Sequence, residues 1–288
     1  MKKSNLEALE HNKYADALQK DGLRGDYSAM RSDYTVDQNW HSYTSAEHDL
    51  FKRLYERQIK LLPQYACKEV LDGIKKLDCP DRIPRFEDIS IKLRRKTGWE
   101  LVAVPGLVPD TAFFNFLANR KFPITVWLRK PEEFNYIVEP DLFHDLFGHV
   151  PMLFNPSIAD YMQAYGEGGL KAQKLKALSM LSRLYWYTIE FGLIKTPEGM
   201  RAFGAGILSS SGELVHSIES PKSNREPFDL ELILRTEYRI DDYQDTYFVL
   251  ESFEDLVEKT SMDFTPIYER VRKLPVRYPP QPQQAASM

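Results

Sequence analysis

Residues 140–153 read PDLFHDLFGHVPML and set two histidines, His144 and His149, in a run otherwise rich in Leu, Phe, Val and Met. The chain has only six histidines. Whatever fold forms must bury this run, and burying it requires partners for two imidazoles. Apolar surroundings favour the neutral ring, and neutral imidazole is a metal ligand. The alternative is a pair of core histidines hydrogen-bonded to backbone; one such His favours that reading, two bring the readings level. The spacing adds a constraint. On a straight α-helix, residues five apart point about 140° away from each other. A shared target therefore requires a distorted or ending helix, which Gly148 and Pro151 could supply.

Two imidazoles leave a metal site incomplete, so a carboxylate that is costly to bury is the next feature to look for. Glu190 lies in LYWYTIEFGLI, where the other ten residues are apolar, aromatic, Thr or Gly. An ionised carboxylate there must be paired, coordinated or protonated. On a helix it shares a face with Trp186 and Ser182. The competing reading is a helix-end Glu reaching solvent or a buried Arg. Glu213 in SSSGELVHS is a second candidate, with polar neighbours that ease exposure. His11, His41, His48 and His216 sit in polar settings and are expected at the surface. Two His and one carboxylate suit a facial triad on ferrous iron with open positions; zinc accepts the same donors with a water. The donor types alone do not separate the two metals.

The rest of the chain reads as one mostly helical α+β domain, with no linker in its middle. SAEHDLFKRLYERQIKLL, 45–62, has helical apolar spacing behind Ser45 as an N-cap. A second amphipathic helix is expected at 66–77, strands at 99–105, 123–130 and 243–253, and helices at 140–147, 157–166 and 171–191, the last stopping near Gly192. A proline-bearing loop, CPDRIPRFEDIS, separates the second helix from the first strand. Residues 1–35 are polar and weakly patterned, giving a loosely ordered arm; 36–278 are expected to form the main domain, the catalytic one in an enzyme, and 279–288, PPQPQQAASM, a disordered tail. The 38 basic and 42 acidic residues are well mixed, leaving no basic footprint for nucleic acid and no polybasic membrane patch. No apolar stretch approaches the roughly 18–20 residues that span a bilayer. The start, MKKSNLEALEHNKYADAL, lacks the apolar core of a secretory signal. Cys67 and Cys79 form neither a metal spacing nor a disulfide framework, so a reducing, cytoplasmic setting is expected.

EPDLFHDLFGHVPML, followed by LYWYTIEFGLI and then AFGAGILSSSGEL, resembles the pterin-dependent aromatic amino acid hydroxylases over roughly residues 95–275. The resemblance implies a single helical α+β catalytic domain in which His144, His149 and Glu190 hold Fe(II). It implies tetrahydrobiopterin (or a similar reduced pterin) as co-substrate, O2 as oxidant, and hydroxylation of L-phenylalanine to L-tyrosine. Arg129, in VWLRKP, matches an arginine that pairs with the substrate carboxylate, which suits a guanidinium fork. Asp141 matches a carboxylate that orients the imidazoles. Pro140, Trp186, Phe191 and Gly206 match residues around the substrate ring, and Ser209 its polar edge. PGLVPDTAFF matches the pterin loop, which puts Gly106, Leu107 and Val108 beside the pterin and Phe113 stacked on it. Tyr185 matches a tyrosine close to pterin and iron.

The chain also departs from the family pattern. Ile137-Val138-Glu139-Pro140 stands where many members have Thr-Pro-Glu-Pro, removing a hydroxyl that could hold the amino acid. Pro109-Asp110-Thr111 replaces Ser-Ser-Arg in the pterin loop, and Asp145 replaces a glutamate among the pterin contacts. There is no room for the animal enzymes' regulatory domain and no C-terminal heptad helix, so a monomer is expected. Tryptophan or tyrosine hydroxylation within the same family stays open, as do a zinc hydrolase with the same triad and a non-catalytic metal-binding protein.

Overall fold

The computed structural model describes residues 24–240 and 242–279. Helix α1, Ser45–Tyr65, starts one residue earlier in its logic than the sequence suggests. Thr44, not Ser45, is the N-cap: its hydroxyl accepts from the Glu47 N–H while the Glu47 carboxylate accepts from the Thr44 N–H. The helix buries Leu50, Phe51, Leu54 and Leu62, and one polar side chain among them, Gln58. α2, Lys68–Leu77, follows as expected. α3, Phe86–Thr97, begins inside the stretch read as a loop.

β1, Glu100–Val104, and β2, Lys121–Thr125, pair in parallel from Glu100↔Lys121 to Val104↔Thr125, with α4, Asp110–Ala118, as their crossover. The strand expected at 123–130 therefore ends at Thr125. Beyond it the backbone turns away to serve the site: the Trp127 carbonyl accepts from the Leu142 N–H, and the Arg129 N–H donates to the Asp141 carboxylate.

His144–His149 form a π turn that continues into α5, Val150–Leu153. α6, Pro156–Lys174, is capped by the Asn155 side chain. α7, Leu178–Tyr185, runs into a second π turn, Trp186–Glu190. The single helix expected at 171–191 is thus broken at 175–177, where Lys176 takes φ +52°. β3, Leu193–Thr196, and β4, Gly199–Ala202, make an antiparallel hairpin. α8, Ala205–Ser209, and α9, Ser211–Glu219, precede β5, Asn224–Pro227, and α10, Leu230–Arg235. β6, Thr246–Leu250, lies in parallel between β3 and β5, completing the order β4-β3-β6-β5. It is buried along its whole length, and the expected strand at 243–253 shortens to those five residues. α11, Phe253–Thr260, and α12, Thr265–Val271, close the described fold.

One hydrophobic core runs from Leu50 to Val271 and joins helices and both sheets, as an α+β single domain requires. Residues 24–35, expected within the loose arm, pack onto the loop after β1. The Tyr27 phenol donates to the Leu107 carbonyl, Arg24 pairs with Glu133, and the Gly25 backbone abuts Pro105. The polar pattern misled here because these contacts are hydrogen bonds and an ion pair, not apolar burial. Residues 1–23 and the expected tail from 280 lie outside the described residues, and no helix among those described is long and apolar enough to cross a membrane.

Candidate metal centre and its two cavities

The π turn settles how histidines five apart share a target. Its hydrogen bonds close from i to i+5, so the residues that bound it stand over one another. Widening, not ending, the helix does this, and Pro151 sits in the α5 that continues it. The His144 and His149 Nε2 atoms lie 3.3 Å apart. Glu190 ends the second π turn and brings its carboxylate to 3.6 Å from the first and 3.2 Å from the second. Three ligands about 2.0–2.2 Å from one ion are separated by roughly 2.8–3.5 Å, from octahedral to tetrahedral angles. The triangle fits a common cation, and among the described residues it is the one such cluster of His, Cys and carboxylate donors.

The protonation states agree. Burial pushes His144 down to about 4, aided by His149 and opposed by Glu190. Burial also works to raise Glu190, but the two imidazoles and the Gly206 N–H outweigh it and hold the carboxyl below its usual range. A neutral His144 and an ionised Glu190 are the forms that ligate a metal.

Ser209 fixes which nitrogen of His144 faces the centre. Its hydroxyl donates to the Ala205 carbonyl at 2.9 Å, so it accepts from His144 Nδ1–H at 2.9 Å and leaves the Nε2 lone pair for the ion. This requires α8 to lie against the π turn. A Cβ on Gly148 would sit 2.7 Å from the Ala205 carbonyl oxygen, so only glycine permits the approach. The sequence offered Ser209 as a pocket edge; its hold on a metal-facing imidazole was not legible there.

Asp141 does not orient an imidazole, contrary to the expectation. Completely buried, it accepts from Arg129 Nε and Nη2, both at 2.8 Å, and from the backbone N–H groups of Arg129 and His144. Burial alone would raise its carboxyl, but the Arg129 guanidinium holds it below the usual carboxylate range. A guanidinium as buried as Arg129 needs such a partner, and that requirement takes the carboxylate away from the ring.

Two cavities meet at the triad. The larger, about 190 Å³, is lined by Gly106, Leu107, Val108, Phe113, Asp145 and Tyr185. The smaller, about 90 Å³, is lined by Arg129, Phe191, Gly206, Ser209 and Ile240. Pro140, Trp186, His144 and Glu190 line both. Phe113 meets Tyr185 edge to face at 5.8 Å. Burial pushes the Asp145 carboxyl up to about 7, against the Thr125 N–H that donates to it at 2.8 Å.

Every residue singled out from the sequence for metal, substrate or pterin therefore lines one cavity or both. Glu213 is not exposed as its polar neighbours suggested. It is 4% exposed and accepts from the Tyr247 phenol and the Gln244 N–H. Among the histidines expected at the surface, His41 is exposed, His48 and His216 are half-buried, and His11 lies outside the described residues.

The chain matches the family described as biopterin-dependent aromatic amino acid hydroxylase over residues 5–287. It is 54% identical over 256 residues to the phenylalanine-4-hydroxylase of Ralstonia nicotianae, covering 88% of this chain and 81% of that protein. It is 54% identical over 253 residues to that of Caulobacter vibrioides, covering 87% and 86%. The iron- and phenylalanine-bound crystal structure of phenylalanine hydroxylase from Chromobacterium violaceum superposes with a TM-score of 0.83 at 49% identity, over 93% of this chain and 96% of that one. The cobalt-bound structure of the same enzyme gives 0.84 at 50%, over 90% and 92%. With the family matched over nearly its whole length and the fold shared, the chain belongs to the biopterin-dependent aromatic amino acid hydroxylases.

Proposed function

We propose that this chain hydroxylates L-phenylalanine to L-tyrosine with O2 and a reduced pterin, as a phenylalanine 4-monooxygenase. The observation that carries the reading is the position of the His144–His149–Glu190 triangle at the meeting point of two cavities, one of which holds a buried guanidinium. The ferrous ion and the reduced pterin together supply the oxygen-activating chemistry when bound. The protein positions and excludes.

His144, His149 and Glu190 hold the ion, and Ser209 keeps His144 in the ligating tautomer. Arg129, held flat by Asp141, takes the substrate carboxylate, and Pro140, Trp186, Phe191 and Gly206 enclose the ring. Gly106, Leu107, Val108 and Phe113 would seat the pterin, with Asp145 among its contacts. Tyr185 would lie close to both pterin and metal, since it lines the larger cavity with its ring centre 6.1 Å from that of His149. The family membership weighs against the zinc hydrolase and the non-catalytic metal protein.

We place the catalytic domain at residues 36–278, with 24–35 strapped across its pterin-side loop. We further propose a cytoplasmic monomer: both cysteines are free and buried, and the described helices after β6 are only eight and seven residues long. Light scattering at micromolar concentration tests the monomer, and a stable tetramer contradicts it. Pterin-dependent tyrosine formation alongside metal analysis tests the activity. A chain loaded with zinc that works without pterin overturns it.

A further inference from the structure

Trp186 is one of four residues that line both cavities, and stacking alone does not set its position. The indole lies on Tyr238 with ring centres 4.2 Å apart and planes at 16°, and leans on Phe191 at 4.7 Å. Such contacts fix the plane of a ring while leaving it free to slide within that plane. A hydrogen bond removes the freedom: Trp186 Nε1–H donates to Gln244 Oε1 at 2.9 Å.

Gln244 is itself fixed on every side. It is 2% exposed, its Nε2 donates to the Arg239 carbonyl at 2.8 Å, and its backbone N–H donates to the Glu213 carboxylate at 3.0 Å. The amide cannot be reversed. An indole N–H only donates and a backbone carbonyl only accepts, so a flipped amide would set donor against donor and acceptor against acceptor. Glu213 is held in turn by the Tyr247 phenol and stands in α9, which starts two residues after Ser209. The wall of the substrate cavity and the orientation of His144 therefore share one support.

We propose that Gln244, seated by Glu213, is a specificity-determining positioning residue: it holds the Trp186 indole where a single six-membered ring fits the smaller cavity and a bicyclic one does not. The proposal rests on the phenylalanine reading above. It assigns to Gln244 an effect that passes through the indole N–H, so the effect must vanish when residue 186 has no N–H.

The test is a double-mutant cycle of Gln244→Met, which keeps length and volume but removes the strong acceptor, with Trp186→Phe. For each chain, kcat/KM for phenylalanine and for tryptophan is measured with iron and reduced pterin, and the dissociation constants of both amino acids by calorimetry. In the unaltered background Gln244→Met should lower the phenylalanine-to-tryptophan ratio roughly tenfold, through KM and binding more than kcat. In the Trp186→Phe background it should move the ratio less than about twofold. An unchanged ratio in the first background, or an equal fall in both, overturns the proposal. If the unaltered chain does not turn over phenylalanine at all, the functional reading fails instead, and the calorimetric ratios still decide the role of Gln244. Should Gln244→Met not fold, the unaltered protein labelled with 15N-tryptophan answers the question. The indole signal missing from Trp186→Phe should exchange slowly with solvent, and exchange as fast as an exposed indole overturns the proposal.

Discussion

His144 and His149 face each other with Nε2 atoms 3.3 Å apart because the turn between them is a π turn. An α-turn would carry the second ring about 140° away. Ser209 then decides the outcome chemically by holding the Nδ1–H of His144. Ser209→Ala should leave the chain folded but weaken iron binding roughly tenfold or more, the usual cost of losing a group that orients a metal ligand. Competition with a chelator measures this, and unaltered affinity would return Ser209 to a mere pocket edge.

Arg129 and Asp141 form a buried pair, 4% and 0% exposed. Arg129→Lys should raise the KM for phenylalanine more than it lowers kcat, because an ammonium cannot reproduce the planar fork. Removing one partner outright, as in Asp141→Ala, should cost about 3–5 kcal/mol of stability by stranding a buried charge. Steady-state kinetics and denaturant unfolding separate the two effects. Unchanged kinetics in Arg129→Lys would remove Arg129 from the substrate site.

Glu139 gives the chain a pH dependence. It is 2% exposed, and burial pushes its carboxyl up from 4.5 to about 7 against the opposing pull of Arg24. Between those values the folded chain keeps a proton that the unfolded chain has lost, so stability falls as pH rises through that window. Glu139→Gln cannot ionise. Relative to the unaltered chain, its melting temperature should therefore improve between pH 5 and pH 8. A constant difference across that range would mean that Glu139 titrates normally.

Much of this was legible in the sequence, and the failures have physical causes. Glu190 and the histidines could be found because ionisable groups in apolar runs demand partners. The π turns could not, since a one-residue bulge leaves no compositional mark; only the awkward spacing of five hinted at it. α4 was hidden because Pro105, Gly106 and Pro109 make its approach read as loop. Gln244 escaped notice and Glu213 was expected at the surface because their neighbours are polar, and only the tertiary fold turns the two segments inward toward Trp186.

Ring preference follows from bulk. Trp186 fills volume that an indole substrate needs, and the apolar Ile240 lines the same cavity. Phenylalanine should rank first by kcat/KM and tryptophan poorly, with Trp186→Phe shifting the ratio toward tryptophan by roughly 10- to 200-fold. Faster turnover of tryptophan by the unaltered chain would contradict the assignment while leaving the metal centre intact.

The central claim is that one ferrous ion on His144, His149 and Glu190 works with a reduced pterin on phenylalanine. Its most direct measurement is tyrosine formation by the purified chain reconstituted with ferrous iron, tetrahydrobiopterin and O2, run beside zinc-loaded protein and a His144→Ala variant. The account predicts tyrosine only from the iron-loaded, pterin-supplied chain, and none from the other two. Tyrosine formed without pterin, or full activity retained by His144→Ala, would contradict it.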